Sequence, residues 1–188
     1  MAFILGASRM RMHRKAGLAL PILLGVFLLT LLGLDAAPAA AKIMRFTQQG
    51  DSALVFHMPD DWTTNIDIAT EAETLVSPGN HGLVSLSILA DHRALAAVAA
   101  QVLKAADADT GDAPRALSVS TKEAYAVTAP RAGGGTLALS LLVIRVDPDH
   151  VAVCLALVPL GSTPAQTAAA DGILETIRVS PPDNSFGG

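Results

Sequence analysis

Ser52-Ala-Leu-Val-Phe-His-Met58 runs straight into Pro59-Asp-Asp-Trp62. Leu54, Phe56 and Met58 recur at period two and fall on one face, which predicts a strand. Pro59 stops it with a fixed backbone angle, and Asp60 and Asp61 can satisfy turn amides with their side chains. Trp62 then opens a return. Upstream, Ile43 to Gln48 reads as a short first strand. Downstream, Trp62 to Ala69 and Thr74 to Ser77 read as short strands. Ser77-Pro-Gly-Asn-His-Gly82 is a loop rich in breakers. Leu83 to Ala90 alternates cleanly, with Val84, Leu86 and Ile88 toward a core and Ser85 and Ser87 opposite. Asp91 offers an N-cap side chain for an alanine-rich helix from His92 to about Ala106, whose stripe is Leu95, Val98, Val102 and Leu103.

The second half repeats the theme. Asp107 to Pro114 is a polar connection. Strands are predicted at about Ala116–Ser120 and Lys122–Ala129, with Arg131-Ala-Gly-Gly-Gly135 as a hairpin-type loop. Thr136 to Val146 is apolar on nearly every residue, as expected of a central strand covered on both faces. After a tight turn at Asp147-Pro-Asp-His150, the strand Val151–Val158 puts large residues on one face and Ala152, Cys154 and Ala156 on the other. A helix is expected to pack closely on that small face. Thr163-Pro-Ala-Gln166 has the make-up of a capping box with proline at the first helical position. The second helix runs to about Ile177, with Ala170, Ile173, Leu174 and Ile177 inward. Strands, helix, strands, helix in segregated blocks give an α+β fold, a mostly antiparallel sheet flanked by two main helices. These elements are expected to close into one pleated layer.

The first 41 residues read differently. Arg9, Arg11, Arg14 and Lys15 precede an uncharged, mostly apolar run from Ala16 to Leu34, and Asp35-Ala-Ala-Pro-Ala-Ala-Ala41 closes it. Basic start, apolar middle and small-residue exit make a secretory signal peptide. The exit holds two Ala-x-Ala frames, at Ala37–Ala39 and Ala39–Ala41, and cleavage is expected after Ala41. Met1, Met10 and Met12 are alternative starts. The competing reading is an uncleaved anchor spanning residues 16–34, because about 20 apolar residues suffice to cross a bilayer. Either way the folded part lies beyond the membrane, periplasmic or secreted. The expected organisation is a signal segment at 1–41, a single α+β domain at 42–180 and a disordered tail at 181–188.

Composition narrows the function classes. Residues 42–188 hold nine Lys and Arg against sixteen Asp and Glu, a net charge of about −7. That balance argues against nucleic acid and against anionic lipid surfaces, so membrane contact is expected only through an uncleaved N-terminal segment. Cys154 is the single cysteine, so no internal disulfide and no dithiol pair can form. No Gly-x-Ser-x-Gly elbow and no Ser-x-x-Lys motif is present. Gly133-Gly-Gly135 lacks a phosphate-loop lysine and reads as turn glycine. His57, His81, His92 and His150 show no zinc spacing. Asp147, Asp149 and His150 come nearest to a metal cluster, yet Asp-Pro-Asp is ordinary turn chemistry, as are Asp60 and Asp61. Cys154 reads as a buried structural thiol and Trp62 as a core plug. No catalytic, cofactor-binding or metal-ligating residue is assigned.

The strand Leu54–Met58 with its Pro59-Asp-Asp-Trp62 exit resembles the entry of the PsbP-like fold. That superfamily includes the extrinsic PsbP subunits of photosystem II, a Ran-binding nuclear protein and exported bacterial proteins of the DcrB type. The serine-rich apolar strand at Leu83–Ala90, Lys122-Glu-Ala-Tyr125 opening a strand block, and the ending Ile173-Leu-Glu-Thr-Ile-Arg178 extend the likeness over about Asp51–Val179. The resemblance implies an antiparallel sheet flanked by helices and a duty of binding or assembly rather than catalysis. It carries over no functional residues. The expectation is therefore an exported, non-catalytic envelope protein working through contacts with an unknown envelope partner, as an accessory or assembly factor. A periplasmic small-ligand or cation binder, with a pocket between sheet and helix, is the alternative, and an enzyme without a recognisable motif the remote one.

Overall fold

The computed structural model describes residues 40–47, 52–67, 71–109 and 114–181. Residues 1–39 of the expected signal segment, the linking residues 110–113 and residues 182–188 of the expected tail lie outside them. Among the described residues ten strands form two sheets. β1 (Ala41–Thr47), β2 (Ala53–Pro59) and β10 (Arg178–Ser180) make the smaller, in the order β1-β2-β10. The larger has seven strands: β3 (Thr63–Asp67), β4 (Ala72–Val76), β5 (Leu83–Ala90), β6 (Arg115–Val119), β7 (Lys122–Ala132), β8 (Leu137–Arg145) and β9 (His150–Pro159), ordered β3-β4-β5-β9-β8-β7-β6. Every strand pair among the described residues is antiparallel. The helices are α1 (Leu95–Ala105) and α2 (Pro164–Thr176). The architecture is α+β, as the sequence predicts.

The helices take opposite faces of the larger sheet. Leu95, Val98, Ala99 and Leu103 of α1 bury against Leu139, Leu141 and Val143 of β8 and Val151 and Val153 of β9. On the other face Ala170, Ile173 and Leu174 of α2 join Ala152, Cys154 and Ala156, together with Leu54, Phe56 and Met58 from β2. The small-residue face of β9 thus seats α2, and β8 is apolar on both sides because both sides are covered.

Three expectations change. The strand Leu54–Met58 does not join the main sheet. It pairs with β1 and β10 in a separate layer over the α2 face. A single layer would leave Phe56 and Met58 without a second surface; here both are fully buried. Arg178–Ser180, at the end of the expected domain and with no element predicted for it, is a strand held by pairing with Ala53–Val55. Just past that pairing, Thr176 Oγ1 accepts the His57 N–H at 3.0 Å, so the end of α2 continues the edge.

Asp91 does not cap α1. The helix starts at Leu95 with Ala94 at the N-cap and no side-chain bond. Asp91 Oδ1 instead accepts the Arg93 N–H at 2.9 Å, and its carboxylate takes Arg93 Nε at 3.0 Å and Nη2 at 2.6 Å. Arg145 of β8 donates to the carbonyls of Asp91 and Arg93, so the β5–α1 connection is clasped from the sheet. At α2 the capping box is complete: Thr163 Oγ1 accepts the Gln166 N–H at 3.3 Å and Gln166 Oε1 accepts the Thr163 N–H at 2.7 Å.

Candidate functional site

The sequence-level candidates resolve into structural roles. Asp147 Oδ1 accepts the Asp149 and His150 N–H groups, each at 2.8 Å, and meets His150 Nδ1 at 2.9 Å. Its oxygens are spent on the turn, and those bonds hold its carboxyl below the usual range against the upward push of burial. Asp149 turns away to His92, at 3.4 Å. No group of three or more metal-ligating side chains occurs among the described residues. Cys154 is fully buried, and burial pushes its thiol up to about 12. Gly133, Gly134 and Gly135 all have positive φ, of 58°, 69° and 84°, which is turn chemistry that L side chains resist. Trp62 is buried at 4% exposure and plugs the core.

A broad concavity lies elsewhere. A cleft of about 990 Å³ separates the second half of α2 from the β6–β7–β8 strands. Its geometry starts with a two-residue hairpin. Ser120 and Thr121 have φ of 50° and 67°, the left-handed pair that matches strand twist in such turns. The resulting register sets Arg115 opposite Ala126, Leu117 opposite Ala124 and Val119 opposite Lys122. Val119 and Ala124 enter the α2-side core, which assigns Arg115 and Leu117 to the same face. Ser140 opposite Thr128 and Leu142 opposite Ala126 complete the floor from β8.

The wall is α2. Ala170, Ile173 and Leu174 point inward, which leaves Asp171 and Glu175, one turn apart, on the cleft side. Neither carboxylate has an ion pair among the described residues. Arg178 closes one end, and Nη1 donates to the carbonyls of Glu175 at 2.9 Å and Ile177 at 2.7 Å. It thereby satisfies carbonyls that the end of α2 leaves open. Ser120 Oγ accepts the Val179 N–H at 3.1 Å, tying the hairpin turn to β10 beside the cleft. The cleft opens on the β6 side, where Arg115, Ala116, Leu117 and Ser118 are all exposed.

A smaller hollow of about 510 Å³ lies by the first turn of α2, lined by Trp62, Ser77, His81 and Gln166 among others. Ser77 Oγ is buried there without a hydrogen-bond partner. Glu73, on β4 opposite Leu86, is also buried, at 6% exposure, and desolvation raises its carboxyl.

Sequence reasoning placed Leu174 and Ile177 on the inward stripe but did not single out the charged cleft residues Arg115, Asp171, Glu175 and Arg178. Asp171 and Glu175 flank the inward stripe at helical spacing, a signal that was there to find. Arg115 acquires its place only through pairing with β7.

No family model matches the sequence, and no curated protein matches it. Among solved structures, the cyanobacterial PsbP of Synechocystis aligns over 80% of this chain and 99% of its own, at 11% identity and TM-score 0.57. LpqN of Mycobacterium tuberculosis, described as involved in cell envelope biogenesis, aligns over 76% of this chain and 91% of its own, at 18% identity and TM-score 0.53. A Bacteroides thetaiotaomicron protein aligns over 73% of this chain at 14% identity and TM-score 0.44, and the chain spans 50% of its length. The fold is PsbP-like.

Proposed function

We propose that this protein is an exported, non-catalytic domain of the cell envelope that works by holding another protein. The α2–β6 cleft carries the reading. It is wide, open along a sheet edge and rimmed by charges of both signs, a shape suited to a polypeptide segment rather than to an enclosed small molecule. Export rests on the basic, apolar and small-residue blocks of Met1–Ala41. No helix among the described residues is long and apolar enough to cross a membrane. The fold shared with LpqN supports an envelope setting. A second reading, a small-ligand binder, is favoured only by the hollow beside Trp62 with its unpartnered Ser77 Oγ.

The test is quantitative co-purification from the envelope fraction. Wild type is compared with Ala126→Trp, which fills the cleft floor, and with His150→Gln, which lies outside it. The reading expects a defined partner lost in the first variant and kept in the second. Loss of nothing, with a metal ion or metabolite raising the melting temperature instead, would move the assignment to the ligand-binding alternative.

A further inference from the structure

We infer that the α2–β6 cleft takes a basic segment of the partner protein, its Lys or Arg side chains paired with Asp171 and Glu175. This deepens the reading above and rests on it. The two carboxylates stand one turn apart on the same wall, a spacing at which like charges are unfavourable neighbours. Arg178 makes no ion pair with either carboxylate: its Nη1 is held by the backbone carbonyls of Glu175 and Ile177, and its charge stays at the closed end of the cleft. A cation entering between the carboxylates relieves the repulsion, whereas an acidic segment adds to it. The wider charge agrees, since residues 42–188 sum to about −7, which favours encounter with a basic partner.

The floor sets the kind of ligand. Ala126, Thr128 and Ser140 are small and let a main chain come close. Three strands at two spacings make a floor roughly 10 Å across, the width of one chain segment with its side chains. Leu117, 36% exposed at the lip, offers an apolar surface for the methylene stem of a Lys or Arg. Arg115 lies across the floor from α2 and repels a second cation there. The bound segment therefore turns its basic residue to α2 and an apolar or acidic residue to β6.

The experiment uses protein purified from the envelope, with a short synthetic Lys/Leu peptide and its Glu/Leu counterpart as probes. Amide NMR signals report the site, and titration reports affinity. The inference expects the Lys/Leu peptide to shift Ala126, Thr128 and Ser140. Asp171→Asn with Glu175→Gln should weaken it about tenfold, the scale of losing two exposed ion pairs. Glu71→Gln with Glu123→Gln, an equal loss of charge away from the cleft, should weaken it less than about twofold, by screened long-range attraction alone. Equal binding of both peptides, equal weakening by both double variants, or no shift at the three floor residues would overturn it. Thermal melts show that each variant is folded. If the peptides fail while Ala126→Trp still removes the co-purified partner, only the basic-segment inference falls. If Ala126→Trp removes nothing, the protein-holding function falls with it.

Discussion

Ala156 tests how α2 sits on the sheet. It is 1% exposed, faces Val84 of β5 and Ser140 of β8 across the two ladders, and shares a buried cluster with Ala170 and Ile173 of α2. Ala156→Leu adds three carbons where β9 is kept small. Overpacking of this kind costs about 1–3 kcal/mol. At roughly 2–4 °C per kcal/mol for a domain of this size, the melting temperature should fall by about 4–8 °C for a mid-range cost. Ile173→Ala alone removes three carbons from a side chain 1% exposed and should cost about 2–5 kcal/mol. The double variant decides the matter. If α2 rests on the small face, the new leucine occupies part of the Ile173 void, and the combined loss falls short of the sum by about 1–2 kcal/mol. Urea denaturation followed by the fluorescence of Trp62, the one tryptophan, gives all four free energies. Simple additivity, or a cost below about 0.5 kcal/mol for Ala156→Leu, would refute the close seating.

Three further outcomes follow from ionisable groups. Cys154, pushed up to about 12, keeps its proton in the folded state while the unfolded chain loses it near pH 9. Stability should therefore fall as pH rises above about 9, by up to about 1.4 kcal/mol per pH unit. Cys154→Ala should remove that slope, and native protein should not react with a thiol reagent. Glu73 is raised by burial, so its cost is absent below the unfolded carboxyl range and grows as pH climbs through the folded value. Glu73→Gln should be more stable than wild type at pH 7 and equal to it in acid, measured by urea titration at both. Asp91 is held down to about 2, chiefly by the Arg93 hydrogen bond. Its contribution is present above the unfolded value and lost as pH falls toward 2. Asp91→Asn should flatten that part of the acid unfolding curve.

Much of the fold was written in local pattern. Leu54, Phe56 and Met58 announce a strand, Thr163 to Gln166 a helix start, and Ala152, Cys154 and Ala156 a helix seat, because each depends on neighbours a few residues away. What stayed hidden depends on distant pairing. Nothing near Leu54 says that its strand will choose β1 and β10 over the main sheet, since alternation fixes a face and not a partner. Asp91 looked like an N-cap because its spacing to the alanine-rich run suits one. Arg93 and Arg145, the latter 54 residues away, claim that connection instead. The cleft was half legible. Its acidic wall follows from helical spacing on α2, but its floor exists only once β6, β7 and β8 are in register and α2 stops over β9.

Site-specific photo-crosslinking in the intact envelope tests the central claim most directly. A photoreactive residue replaces Leu117 at the cleft lip or, as a control of comparable exposure, Leu160 in the turn before α2. The account expects one discrete crosslinked species from position 117, diminished by Asp171→Asn with Glu175→Gln, and none from position 160. Crosslinks of equal yield from both positions, or from position 160 alone, would contradict it.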